Sequence, residues 1–117
     1  MKANELRIGN LVLNDDSIEE VTLQHLDLLV HDNTYFKPIP LTEEWLLKFG
    51  FENLGEIKEV SNRYVLFNVI DGTSNFELYE YGNEYDACID DNSIYIHELK
   101  YVHQLQNLYF ALTGKEL

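Results

Sequence analysis

The sequence contains very little cysteine and no long apolar run. Its single cysteine, Cys88, excludes an intramolecular disulfide and any zinc site built from paired cysteines. The first ten residues lack the apolar core of a signal peptide, and no apolar run approaches the roughly 20 residues that a membrane helix needs. We therefore expect a protein of the reducing cytoplasm that does not enter a membrane.

Basic residues are also scarce. The chain has 8 Lys and Arg against 21 Asp and Glu, which gives a formal net charge of −13. Residues 64–99 contain eight acidic side chains and no Lys or Arg. Direct binding to nucleic-acid phosphates is therefore not expected, because Lys and Arg supply most of that affinity. The acidic stretch is either a solvated surface that keeps the protein soluble or a face for a basic protein partner, nucleic-acid mimicry included.

Motifs for catalysis or metal binding are missing. Four histidines are scattered along the chain: His25, His31, His97 and His103. The pair His97-Glu98 begins like a metalloprotease motif, but Tyr101 stands where the second histidine would be needed. The six glycines stand apart and form no phosphate-binding loop, and Cys88 lies among acids that raise a thiol pKa. The sequence thus predicts no catalytic, cofactor-binding or metal-binding residue and does not favour an enzyme.

A short helix is strongly predicted within residues 36–51. Two prolines make its approach extended, and Thr42 is in position to be the N-cap before a first turn rich in glutamate. Leu41 and Leu46 have the spacing of a hydrophobic staple, and Gly50 is a C-terminal stop. A helix over 43–49 is too short to be stable alone, so its apolar side chains, Trp45, Leu46 and Phe49, are expected in the core.

The first 35 residues predict a small β piece. Strands over 11–13 and 18–23 flank the turn residues 14–17, which indicates a hairpin. The apolar residues 28–30 predict a third strand, so the piece resembles part of a half-barrel. A short helix over 21–30 is the alternative interpretation.

The second half predicts an antiparallel meander followed by a helix. Four strands are expected over 63–70, 76–81, 84–89 and 93–97, with Tyr85, Ala87, Ile89, Ile94 and Ile96 facing inward. Residues 99–113 carry an apolar stripe with helical spacing that ends at Gly114, and we expect this helix to lie on the sheet. Four polar side chains would then face outward: Lys100, His103, Gln104 and Asn107. The expected fold is a single α+β domain over residues 1–117.

One face of the meander has the composition of a recognition surface. Tyr79 and Tyr81 fall on the same side of their strand, and Tyr95 can join them. Three nearby aspartates complete the predicted partner-binding residues: Asp86, Asp90 and Asp91. Tyrosine is favoured at protein interfaces because it offers a large contact area at little entropic cost. The same face could instead be covered by another part of the chain or could form a homodimer.

Two sequence blocks carry a resemblance to known proteins. They are PIPLTEEWLLKFGF at residues 38–51 and KYVHQLQNLYFALTGKEL at residues 100–117, and the opening MKANELRIGNLV agrees with them. Together they resemble an uncharacterised family of small proteins from Bacteroidetes and from the phages and prophages of those bacteria. Lys115 departs from the glutamate usual in that family. The resemblance implies a cytoplasmic, phage-related accessory protein and assigns no functional residues.

Two functions follow as hypotheses. The first is a non-enzymatic protein that binds a protein partner through the acidic, Tyr-bearing face. The second is a small-ligand binding protein or enzyme that holds a nucleotide or metabolite in a cleft between the N-terminal β piece and the meander. That second function would need cations that converge on one pocket, and the candidates are Lys37, Lys48, Lys58 and Arg63.

Overall fold

The computed structural model describes residues 1, 3–31, 36–56, 61–90 and 96–117. The chain forms two compact units. The first contains Met1–Pro40 and Tyr101–Leu117, and the second contains Leu41–Lys100. The predicted α+β class is confirmed, with a hairpin, short helices, an antiparallel sheet and a C-terminal helix.

The first unit begins with a short 3-10 helix, Ala3–Glu5, and the predicted hairpin. Strands β1 (Leu11–Asn14) and β2 (Ser17–Glu20) pair in antiparallel register. Asp15 has a φ of 54° in the tight turn between them, a conformation that Asp tolerates better than most residues. Beyond the hairpin, Leu13 and Lys37 exchange two backbone hydrogen bonds of 2.9 Å, so the extended segment before Pro38 continues alongside β1.

The predicted third strand at residues 28–30 is wrong, because this segment is helix α1, Leu23–His31. The alternative interpretation, a short helix over residues 21–30, agrees with the structure. The helix begins with a local exchange in which the Thr22 hydroxyl accepts from the N–H of His25, and Nδ1 of His25 accepts from the N–H of Thr22. This pattern satisfies backbone donors that a helix start leaves unpaired.

The core of the first unit lies between the hairpin, α1 and the extended segment. Met1 and Leu26 pack against the edge of a buried cluster made of Leu6, Val12, Val21, Leu29 and Phe36. Burying such side chains stabilises the fold by about 1.5–3 kcal/mol each.

Helix α3, Val102–Thr113, contacts β1 and ends where predicted, at Gly114 with a φ of 72°. Its buried face is rotated relative to the predicted stripe. Gln106 is buried, and its Oε1 accepts from the N–H of Leu11 at 2.8 Å. His103, expected to face outward, is only 5% exposed. The rotation arises because polar groups of the N-terminal segment, and not apolar contacts alone, determine which side of α3 is covered.

The second unit begins with α2, Glu43–Lys48. Thr42 is its N-cap residue, although its side chain makes no capping hydrogen bond. Gly50 has a φ of 95°, and the N–H of Phe51 donates to the carbonyl of Leu46 at 3.0 Å, which is the predicted C-terminal motif. Leu46 is fully buried as expected, whereas two side chains expected in the core are only half-buried: Trp45 and Phe49.

A five-stranded antiparallel sheet follows, in the order β3-β4-β5-β6-β7. The strands are β3 (Glu52–Asn53), β4 (Arg63–Ile70), β5 (Ser74–Tyr81), β6 (Glu84–Ile89) and β7 (Ile96–Leu99). The meander is therefore confirmed, and β3 adds a short edge strand. The predicted start of the last strand, including Ile94, lies outside the described residues. Ile96, expected to face inward, is 38% exposed, because the register shifts between the β6–β7 pairs Tyr85–Leu99 and Ala87–Ile96.

The sheet of the second unit has two different faces. One carries Tyr64, Phe76, Leu78 and Ala87 and lies against the α2 segment, where the rings of Phe51 and Phe76 are 5.9 Å apart. The other carries Val65, Glu77, Tyr79, Asp86 and Cys88. Both ends of this unit meet, since the N–H of Leu41 donates to the carbonyl of Lys100 at 2.8 Å.

Candidate protein-binding face

The register of β5 and β6 brings three of the six predicted partner-binding residues, Tyr79, Tyr81 and Asp86, to one face. Tyr79 pairs with Asp86, Tyr81 pairs with Glu84, and directly opposed residues of antiparallel strands point to the same side. We call this side, with Glu77, Tyr79, Tyr81, Glu84 and Asp86, the acidic face. Its residues come from two adjacent strands joined by a tight turn with Gly82 at a φ of 62°.

The residues of the acidic face differ in exposure. Tyr81 is 46% exposed, whereas Tyr79 is 7% exposed and forms a small buried cluster with Cys88. Asp86 and Glu84 are half-buried. The accessible part of the face therefore lies at the β5–β6 turn and consists of Tyr81, Glu84 and Asp86. Tyr79 supports that part from inside the unit.

The centre of the acidic face holds a buried ion pair. Glu77 is 1% exposed, and its Oε1 accepts a hydrogen bond of 2.6 Å from Nε of Arg63. A second guanidinium nitrogen of Arg63 contacts the same oxygen. Carboxylates are rarely buried unless they are paired, so Arg63 compensates Glu77 locally. The remaining negative charge of this face belongs to its accessible end.

Asp90 lies at the other end of these strands. Its side chain accepts from the N–H of Asn75 at 2.8 Å, and its own N–H donates to the carbonyl of Asn75. The N–H of Asn75 and, to a smaller extent, the hydroxyl of Ser74 lower the pKa of the Asp90 carboxyl below its ordinary value. Asn75, which Asp90 contacts, is six residue steps from Tyr81 along β5, which corresponds to ~20 Å, so Asp90 does not join Tyr81. The other two predicted site residues, Asp91 and Tyr95, lie outside the described residues.

Among the described residues, Lys100 neighbours the accessible end. Nζ of Lys100 is 3.1 Å from a carboxylate oxygen of Glu84, and both side chains are partly exposed. An ion pair of this kind contributes only about 0–1 kcal/mol. Lys100 therefore stabilises the position of Glu84 only weakly.

The opposite face of the sheet contains a network that the sequence did not predict. The hydroxyl of Tyr64 donates to Glu43 at 2.9 Å, and the hydroxyl of Tyr85 donates to Glu80 at 3.1 Å. The two tyrosine rings are 6.2 Å apart. Burial is the largest cause that raises the pKa of each tyrosine above 10.0, and the hydrogen bonds and the nearby carboxylate charges raise it further. Both phenols therefore remain protonated donors that fix the two glutamates in place.

The Tyr64–Glu43 half of this network left no local pattern, because its members are far apart in sequence, whereas Glu80 and Tyr85 are directly opposed on adjacent strands. Tyr64 and Glu43 are separated by 21 positions and belong to a strand and a helix. Two asparagine amides complete the arrangement, with Asn53 donating to Glu43 at 2.7 Å and Asn62 donating to Glu80 at 2.9 Å. Each glutamate thus accepts from one phenol and one amide.

The cations proposed for a nucleotide or metabolite cleft are engaged elsewhere or separated. Arg63 pairs with Glu77, and Nζ of Lys48 lies 4.8 Å from the centre of the Trp45 ring. Lys37 belongs to the first unit, and Lys58 lies outside the described residues. The described residues thus provide no converging basic group in the second unit for phosphates.

Two searches within the described residues were negative. No group of three or more His, Cys, Asp or Glu side chains there is placed to hold a metal ion. Every helix in the described ranges is too short or too polar to cross a membrane.

Comparison with protein-family models, with curated proteins and with solved structures finds no match to this chain. The resemblance drawn from residues 38–51 and 100–117 is not tested by these comparisons and stays a prediction.

Proposed function

We propose that this protein acts without catalysis, by binding a basic protein partner through the accessible end of the acidic face. The observation that carries the proposal is the position of Tyr81, an exposed aromatic ring on the same side as Glu84 and Asp86. A tyrosine beside carboxylates can pack against the aliphatic part of an Arg or Lys side chain while the carboxylates pair with its charge.

The charge distribution supports a partner of this chemistry. Residues 64–99 contain no Lys or Arg, so the negative potential of β5 and β6 is offset only by basic residues from outside that stretch. Arg63 neutralises the buried Glu77, and Lys100 contacts Glu84. Complementary charge of this kind increases the association rate and selects against acidic partners.

The buried residues of the face support the accessible ones. Tyr79 and Cys88 pack together on adjacent strands beside the Arg63–Glu77 pair. A rigid support reduces the entropy that the surface loses on binding, which favours recognition by a preformed face. The sequence resemblance of residues 38–51 and 100–117 leads us to propose further that the protein is a cytoplasmic, phage-related accessory protein.

The test is comparative capture of proteins from a lysate of a Bacteroidetes host. The bait variant Tyr81→Ala/Asp86→Asn removes the aromatic contact and one charge of the acidic face. The control bait Asp15→Asn/Asp16→Asn removes charge from the hairpin turn of the first unit, and Asn tolerates the φ of 54° at residue 15.

We expect one defined basic protein to be retained by the unmodified and control baits and lost by the Tyr81→Ala/Asp86→Asn bait. Its retention should also decline with salt, because exposed charges are screened. Equal retention by all three baits would contradict this face as the binding surface.

A further inference from the structure

The outer edge of strand β2 in the first unit is open. Among the described residues β2 has one ladder partner, β1, whereas β1 also pairs with Lys37 on its other side. Opposed residues of an antiparallel pair alternate between those that exchange hydrogen bonds and those that do not. The N–H of Val21 donates to the carbonyl of Asn10 at 2.8 Å, so Val21 belongs to an exchanging pair.

The same alternation determines which backbone groups of β2 point away from β1. Counting back from Val21, the groups of Glu19 and Ser17 are directed at β1. The N–H and carbonyl groups of Ile18 and Glu20 are therefore directed outward, along the open edge.

The side chains leave this edge accessible. Ile18 is 52% exposed, and Ser17 and Glu20 are exposed as well. The edge ends at Thr22, whose N–H donates to Nδ1 of His25 at 3.1 Å. A strand that presents N–H and carbonyl groups on an accessible edge is a template for an added strand.

The charge at the edge is strongly negative. Residues 8–36 contain six acidic side chains and no Lys or Arg. Four of the six lie in β2 or in the turn before it: Asp15, Asp16, Glu19 and Glu20. Of the two cations that flank this stretch, Arg7 is held by Glu116, and Lys37 lies on the far side of β1. Complementary charge therefore favours a basic added strand.

A second copy of this chain does not fit the same edge. Two antiparallel copies of β2 would be related by an axis at residue 18, 19 or 20. In the first register Glu20 faces Asp16 of the other copy, in the second Glu19 faces Glu19, and in the third Glu20 faces Glu20. Like charges directly opposite each other destabilise a strand pair.

We infer that β2 is a docking edge for an extended basic segment of a partner protein, which adds to the hairpin as an antiparallel strand. A Lys or Arg of the segment lies opposite Glu20, and an apolar side chain two positions later lies opposite Ile18. The backbone groups supply affinity, and the alternate side chains select the sequence. Because this edge belongs to the first unit, the inference does not depend on the acidic face of the second.

The probe is a capped pentapeptide, Lys-Thr-Val-Thr-Lys, titrated into the full chain while the backbone amide signals are followed by NMR. We expect saturable shifts at Ile18 and Glu20, and slower hydrogen exchange of their two N–H groups in the complex. The capped peptide Glu-Thr-Val-Thr-Glu should bind at least about tenfold more weakly, because its carboxylates oppose an acidic edge.

Two N-methylated forms of the basic peptide separate strand addition from charge attraction. In the docked strand the N–H of the valine faces β2, and the N–H of the following threonine points away. Methylation of the valine nitrogen should therefore weaken binding about tenfold, through the lost hydrogen bond. Methylation of the threonine nitrogen should weaken it much less, although the two forms have the same charge.

Substitutions in β2 test the edge from the side of the protein. Ile18→Pro removes an outward N–H and no hydrogen bond to β1, so it should weaken binding of the basic peptide about tenfold. Glu20→Gln should weaken it about two- to fivefold, as expected for an exposed ion pair. Asp27→Asn is the matched control and should not change the affinity, because Asp27 is an exposed carboxylate of the same unit outside β2.

Four results would overturn the inference. They are equal affinity of the two N-methylated forms, equal affinity of the acidic and basic peptides, shifts confined to residues outside β2, and self-association through β2 without binding of the peptide.

Discussion

Arg63 and Glu77 form an ion pair in which the carboxylate is almost completely buried and the guanidinium is partly exposed. The exposed fractions of the two side chains are 23% for Arg63 and 1% for Glu77. Removing the guanidinium leaves a buried charge without its partner. We expect Arg63→Ala to lower the free energy of unfolding by about 3 kcal/mol, measured by urea denaturation.

The matched control is a double substitution. Arg63→Met with Glu77→Leu removes both charges and retains apolar volume beside Val65 and Cys88, which oppose Glu77 on the adjacent strands. We expect this variant to unfold within about 1 kcal/mol of the unmodified protein or to be more stable. If Arg63→Ala were harmless, the interpretation of Glu77 as a buried charge that depends on Arg63 would be wrong.

The two hydrogen-bonded phenols predict a response to alkaline pH. The pKa of Tyr64 and that of Tyr85 are raised above 10.0 in the folded state, so the unfolded chain releases these protons first. Stability from these groups is therefore complete below pH 10 and is lost as the pH rises above it. We expect absorbance titration to show late-ionising tyrosines, Tyr64 and Tyr85 among them, which release their protons only above pH 10 or on unfolding.

Phenylalanine substitutions identify which tyrosines ionise late. Tyr64→Phe and Tyr85→Phe should each remove one late-ionising phenol. Ionisation of all eight tyrosines near pH 10 would contradict the hydrogen-bonded arrangement.

His103 predicts the opposite response, at acidic pH. Burial lowers its pKa below 6.5 in the folded state, so the unfolded chain binds this proton first as the pH falls. The corresponding stability is present above pH 6.5 and is lost as the pH falls below it. We expect NMR titration of the imidazole C–H signals to place His103 below 6.5, and a value above 6.5 would contradict its burial.

Gln106 predicts a cost for losing one polar contact between α3 and the N-terminal segment. Its Oε1 accepts from the N–H of Leu11, and Gln106 is 4% exposed. Gln106→Leu leaves that N–H without this acceptor, so we expect a loss of about 1–3 kcal/mol in thermal or urea unfolding. Gln24→Leu, on an exposed position of α1, is the control and should have little effect.

The sequence predicted those elements whose signals are local. Thr42, the staple pair Leu41 and Leu46, and Gly50 lie within ten residues, and each constrains the backbone directly, so α2 could be placed closely. The strands of the meander were predictable for the same reason, because turn residues and alternation mark them. Residues 28–30 were misread because a short apolar run fits a helix or a strand equally well.

Burial on the two sides of an element was harder to predict. The shared face of Tyr79, Tyr81 and Asp86 follows from alternation and register, but the burial of Tyr79 depends on its packing with Cys88. His103 is buried because α3 is oriented by polar contacts to a segment roughly 95 positions earlier in the chain, as in the Leu11–Gln106 hydrogen bond. Such contacts leave no periodic pattern in the sequence.

The hydrogen bond between Leu41 and Lys100 has a consequence for the evolution of the chain. It joins the first and last residues of the second unit, and Pro40 and Tyr101 of the first unit form a β-bridge. Ends that lie this close allow a segment to be inserted into a host fold without rerouting it. The second unit therefore has the topology of a genetic insertion, one that could be gained, lost or exchanged as a single piece.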